Sequence, residues 1–199
     1  MKKEIEIVIP TNWSDVTLAA YQDFSSADLK NEDEIIIHSI STLCDVPLRI
    51  VKKLKVSDIQ QIYRKLSKLI AVPLNKEIVG KITLGGVEFG FHPNLDEMSL
   101  GEFVDLDEQV KEGVNGIQNI MAILYRPITE EKGAKYNIEP YTEEHIKNAK
   151  LFEQVSIDHI NGVMVFFYHL GSESLRSSLN YLSRLEAKQQ HAVIMGGSL

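Results

Sequence analysis

The sequence predicts an α+β fold, mainly helical, with a small antiparallel sheet. Three observations predict it. Along most of the chain, apolar residues recur at helical spacing behind polar capping residues. Two stretches, "EIEIVIP" at 4–10 and "KITLGGVEFGF" at 81–91, carry strand signals instead. Two segments of the first half also recur in order in the second, offset by 82 and 80 residues. The expected organisation is a strand and helical half at 1–75, a β-hairpin at 76–92, a second helical half with a long helix at 93–190, and a tail at 191–199.

Taken in order, Ile5, Ile7 and Ile9 alternate with Glu4, Glu6 and Val8, the pattern of a half-buried strand, and Pro10 ends it. Asn31 and Glu34 have capping-box spacing, and Ile36, Ile40, Leu43 and Cys44 then share a helix face. Asp45 is placed to cap a short helix opening at Pro47, because proline suits a first turn. Ser57 and Gln60 repeat the capping spacing ahead of an apolar stripe: Ile59, Ile62, Tyr63, Leu66, Leu69 and Ile70. Lys81–Leu84 and Val87–Phe91 flank Gly85 and Gly86, which can supply the positive φ of a tight hairpin turn. An isolated hairpin is marginal in water, so the N-terminal strand is expected to join it.

Ser99 and Glu102 cap a helix carrying Leu100, Phe103 and Val104 on its apolar face. Asn115 and Gln118 cap another, carrying Ile117, Ile120, Met121 and Leu124. Residues 129–142, polar with Gly and Pro, read as the main surface loop. Thr142 precedes Glu143 and Glu144, favourable charges at a helix start. Ser156 opens a long stripe through Ile157, Ile160, Met164 and Phe167 to Leu175, Leu179 and Leu182, as one helix or as two meeting at Gly171.

The repetition aligns "VTLAAYQDF" (16–24) with "MSLGEFVDL" (98–106), and "IHSISTLCDVPL" (37–48) with "IQNIMAILYRPI" (117–128). Thr17 matches Ser99, a helix cap with a helix cap, Leu18 matches Leu100, Tyr21 matches Phe103 and Pro47 matches Pro127. It is either an internal duplication or the general likeness of capped amphipathic helices. A duplicated module makes two similar surfaces, which suits assembly more than a single catalytic cleft.

A net charge of −7 argues against a nucleic-acid binder, which would show a basic face. Lys52, Lys53 and Lys55 read as a solvated helix end. One cysteine, Cys44, excludes an internal disulfide, suits a reducing compartment, and reads as a buried small hydrophobe. The acidic residues in "MKKEIEIVIP" break any signal core. The longest apolar run, "VMVFFY" at 163–168, is too short to span a bilayer, so a cytosolic protein is expected.

None of the six histidines forms a His-Glu-x-x-His pattern. His159 and His169 could share a helix face but read as structural. Glu143, Glu144 and His145 read as a charged first turn. Asp105, Asp107 and Glu108 lack the spacing of a calcium loop and read as a solvated acidic face. "LGGVEFG" lacks the Lys-Ser/Thr of a phosphate loop. No catalytic, metal-binding or cofactor-binding residue is therefore assigned. The candidate contact residues are Leu175, Leu179, Leu182 and Leu185, an apolar row that packs on the domain or meets a partner or a second copy.

"IPTNWSDVTLAAYQDF…DEIIIHSISTLCDVPLRIVKKLKVSDIQQIYRKL" resembles the helical tail-assembly chaperones and small morphogenesis proteins of tailed bacteriophages. "GGVEFGFHPNLDEMSLGEFVDLDEQV…NIMAILYRPI" is similar to proteins encoded among phage structural genes. The resemblance runs over most of residues 5–185, on apolar and cap positions, in a chain longer than such chaperones usually are. It implies a non-enzymatic role in virion assembly and partners among tail, portal or capsid proteins, with homo-oligomers open and neither nucleic acid nor membrane as partner. It places the protein in the host cytoplasm during assembly, with retention in the virion open. The alternatives are a small enzyme using Asp158 and His159, or a regulator that binds a host protein.

Overall fold

A computed structural model describes residues 6–92 and 94–166. The helices are α1 (Leu18–Ser26), α2 (Glu32–Leu43), α3 (Leu48–Val51), α4 (Val56–Ile70), α5 (Leu100–Lys111), α6 (Ile117–Leu124) and α7 (Ala149–Phe152), then α8, described over residues 157–166. The strands β1 (Lys81–Leu84), β2 (Val87–Phe91), β3 (Tyr125–Lys132) and β4 (Lys135–Ile138) form one antiparallel sheet in that order. The fold is α+β and mainly helical.

Three helix starts are as expected. Thr17 Oγ1 accepts from Ala20 N at 3.2 Å, Asn31 Oδ1 from Glu34 N at 2.9 Å, and Ser99 forms a full capping box with Glu102. Three differ. Asp45 does not cap α3; it sits at φ 50° just beyond α2, and Pro47 is the N-cap. α4 starts ahead of Ser57, with Lys55 as N-cap, because Lys53 N bonds Ile50 O and Leu54 N bonds Val51 O, so the chain is already turning. Asn115 does not cap α6 but lies inside a 3-10 turn, Gly113–Gly116. Gly116 opens α6 by close approach: a Cβ there would stand 2.0 Å from Gln109 O at the end of α5.

Gly85 and Gly86, at φ 58° and 81°, close the β1–β2 hairpin as the paired glycines require. Among the described residues of the expected N-terminal strand, 6–10 belong to no strand and do not join the sheet. Their alternation survives as burial, with Ile7 and Ile9 packed against the core and Glu6 and Val8 exposed. The partner of the hairpin is β3, pairing Phe89 with Pro127, Gly90 with Arg126 and Phe91 with Tyr125. The expected surface loop at 129–142 is mostly the β3–β4 hairpin, turned by Gly133 at φ 64°. The outer part of β3, residues 129–132, reads as loop because it is exposed on both faces, so no apolar alternation marks it. Tyr136 crosses back over the sheet, where a Cβ on Gly90 would meet its ring at 2.4 Å, and its hydroxyl donates to Gly80 O and Phe91 O.

One buried cluster runs from Trp13 to Val163 and draws on both halves of the chain. α6 is its centre: Ile117, Ile120, Met121, Ala122, Ile123 and Leu124 are all buried. Leu18 N donates to Val155 O and Ile157 N to Val16 O, so the entries to α1 and α8 are tied together. Gln22 Nε2 donates to Val114 O and Gln118 Oε1, both at 2.7 Å, tying α1 to the start of α6.

The repeated segments share caps more than surroundings. Ile40 and its counterpart Ile120 are both buried, but Leu18 is 0% exposed while Leu100 is 78% exposed. Pro47 opens a helix, whereas Pro127 lies in β3.

Candidate functional site

α5 is oriented opposite to expectation. Leu100, Phe103 and Val104 were expected to pack inward, yet they are 78%, 60% and 53% exposed. Glu102 and Leu106 are the buried residues of this helix. The cause is a charge pair. Arg126 enters from β3, and its Nη1 donates to Glu102 Oε1 at 2.5 Å. Ser99 N donates to the other carboxylate oxygen at 2.6 Å, and His92 Nε2 stands 3.5 Å from Oε1. Glu102 lies about 200° around the helix from Leu100. Holding Glu102 inward therefore turns Leu100 outward.

The same cluster continues on its far side. The Arg126 guanidinium lies 5.8 Å from the Tyr141 ring centroid, and the Tyr141 hydroxyl donates to Asp105 Oδ2. Tyr141 stacks on His145, whose Nε2 stands 3.3 Å from Glu139 Oε2. His145 thus faces inward, while Glu144 pairs with Lys147 in solvent, so the expected charged first turn holds for the glutamate only. Asp105 likewise leaves the expected acidic face; Asp107 remains there, paired with Lys111 at 2.6 Å. Among the described residues, no group of three or more His, Cys, Asp or Glu could hold a metal ion.

The electrostatics fit a structural pair. Burial alone would raise the Glu102 pKa, but the Ser99 bonds and then the Arg126 guanidinium outweigh it and hold the carboxyl below its ordinary value. His92 is lowered, first by burial and then by Arg126. Its Nδ1 accepts from Asn94 N at 3.3 Å, which leaves the Nε2 proton facing Glu102. Arg126 Nε has no hydrogen-bond partner among the described residues. The cluster ties α5 to β3 through a buried ion pair.

The other candidates lie apart. Asp158 Oδ1 accepts from Asn75 N at 2.8 Å, and among the described residues no hydrogen bond joins it to His159. His159 borders an open groove of about 350 Å³ beside β1, lined also by Ser14, Ile82, Leu84, Val155 and Ser156. Cys44 is buried, and desolvation pushes its thiol up to about 11, which leaves it unreactive at neutral pH. Lys52, Lys53 and Lys55 are exposed between α3 and α4. Phe167, His169, Leu175, Leu179, Leu182, Leu185 and the tail at 191–199 lie outside the described residues. No helix of the described residues is long and apolar enough to cross a membrane.

The sequence reading missed Arg126, His92 and Tyr141. The signal for Arg126 was present: a lone charge in the apolar run "IMAILYRPI" needs a buried partner. No protein-family model, curated protein or solved structure matches this chain.

Proposed function

We propose that the protein is a non-enzymatic bacteriophage morphogenesis protein, a tail-assembly chaperone or minor virion component, that acts by contact with other phage structural proteins. The observation that carries the contact role is the outer face of α5. Leu100, Phe103 and Val104 fall on one helix face within about one turn, with the Asp107–Lys111 pair closing it. Scattered exposed hydrophobics need no explanation. Three on one face, presented by a helix locked from behind, have the form of a helix-docking surface. The phage setting rests on the sequence resemblance quoted above.

The test is affinity capture of the full chain from phage-infected cells, beside mass spectrometry of purified particles. Tail, portal or capsid proteins captured by the wild-type chain and lost with Phe103→Ser support the proposal. Capture of a host protein alone favours the regulator reading. The enzyme reading has the groove beside His159 in its favour. It requires a turnover that His159→Ala abolishes.

A further inference from the structure

We infer that the open edge of β1 and the groove beside it bind an extended, acidic peptide segment of a partner protein, which joins the sheet as a further strand. The site is separate from the α5 face.

The backbone sets the site. β1 stands at one end of the sheet and, among the described residues, pairs with β2 alone. Phe91 N donates to Gly80 O at 2.8 Å, which fixes the alternation of the ladder. Ile82 and Leu84 then bond across to β2, while Lys81 and Thr83 turn their N–H and C=O groups to the other side. Among the described residues, nothing bonds those groups. An extended strand carries donors and acceptors at the spacing that meets them.

The groove runs along that edge. It is about 350 Å³ and is lined by all four residues of β1. A groove over one face of the sheet would touch alternate residues only. Ser14, Val155, Ser156 and His159 complete its lining. Its two sides are tied together. Asn161 Nδ2 donates to Asn75 O at 2.6 Å, and a Cβ on Gly162 would stand 2.0 Å from Glu77 O, so α8 is seated on the segment that leads into β1. Tyr125 Oη donates to Val79 O at 2.5 Å and pins the end of that segment. A slot already formed lowers the ordering cost of binding.

The lining selects the occupant. The four residues of β1 span about 13 Å, the length of about four residues of extended peptide. Ile82, Leu84 and Val155 offer apolar contact, and Lys81 carries the one formal charge among the described lining residues. Lys81 pairs with Glu131, but their side chains are 30% and 44% exposed, and such a surface pair is worth little. An acidic side chain on the peptide can share the ammonium. A second copy fits less well, because its own β1 would bring another Lys81 to the same groove.

The experiment uses the full chain and a random library of acetylated, amidated heptapeptides. The peptides selected should carry apolar residues at alternate positions, an acidic residue, and no proline at the centre. Thr83→Pro removes one outward N–H and leaves the β1–β2 bonds in place, so it should weaken the selected peptides by about tenfold. Thr83→Ala keeps the N–H and should bind them like wild type. Phe103→Ser should also bind them like wild type, since it lies on the α5 face. Amide hydrogen exchange of the wild-type chain gives a second readout, which decides even if Thr83→Pro does not fold. The Lys81 and Thr83 amides should exchange fast beside protected Ile82 and Leu84, and slow down when a selected peptide is added. No selected peptide, or peptides with apolar residues at helical spacing, overturns the inference. So does Thr83→Pro that folds and binds like wild type, or Lys81 and Thr83 amides as protected as Ile82 and Leu84 in the free chain.

Discussion

Arg126 Nη1 lies 2.5 Å from Glu102 Oε1, both side chains are buried, and this contact decides which face of α5 meets solvent. A buried pair is weak evidence for net stability, because both ions lose their water. It is strong evidence for orientation. A helix that rotated to bury Leu100 and Phe103 would carry Glu102 away from Arg126 and leave a buried cation alone.

Glu102→Ala should therefore destabilise the fold by about 3–5 kcal/mol, the scale for removing one partner of a buried pair. The double variant Glu102→Leu with Arg126→Met should recover most of the loss, because it removes both charges. Urea denaturation of the three proteins decides. A Glu102→Ala protein as stable as wild type would show that the pair does not hold α5.

Acid should unfold the protein through the same cluster. His92 has a folded pKa below its ordinary 6.5, so between the two values the unfolded chain binds more protons and stability falls as pH drops below about 6.5. The Glu102 folded pKa is also lowered, so its contribution is present above 4.5 and is lost as pH falls through the folded value. Both effects have the same sign. Thermal melts should be flat above pH 7 and decline below 6.5, and His92→Asn should remove the upper part of the decline. A melt midpoint that rises on acidification would contradict both shifts.

The β1–β2 hairpin should fail if its turn is made β-branched. Gly85 and Gly86 have open space where a Cβ would go, so the penalty of Gly85→Val with Gly86→Val is backbone conformation alone. Positive φ at two β-branched residues should cost more than ~1 kcal/mol. Asn at both positions, which tolerates that region better, should lose less. Equal melting temperatures for the valine and asparagine proteins would remove positive φ as the cause.

The elements that were legible in the sequence carry their own local signal. Asn31, Ser99 and Gly85–Gly86 act through neighbours a few residues away, so spacing finds them. What the sequence hid depends on distant partners. β3 was invisible because "YRPI" continues the apolar run of α6, and only pairing with Phe89–Phe91 makes it a strand. The inward face of α5 was misread because an apolar stripe was weighed against a glutamate whose partner lies 24 positions later. The candidate surface emerged from that inversion: the residues expected to be core are the ones left exposed.

The outer face of α5 should separate binding from folding. Leu100 and Phe103 are 78% and 60% exposed, so replacing each by serine removes little buried area and should change stability by no more than about 0.5 kcal/mol. Leu106, on the inner face, is 5% exposed, and Leu106→Ser should cost on the order of 2–5 kcal/mol. Urea titrations rank the three variants, and capture from infected cells reads their partners. The expected pattern is crossed. Phe103→Ser and Leu100→Ser fold like wild type and lose the captured phage protein, while Leu106→Ser loses stability first. If the outer-face variants retain the partner at wild-type levels, α5 is not the contact surface, whatever its exposure.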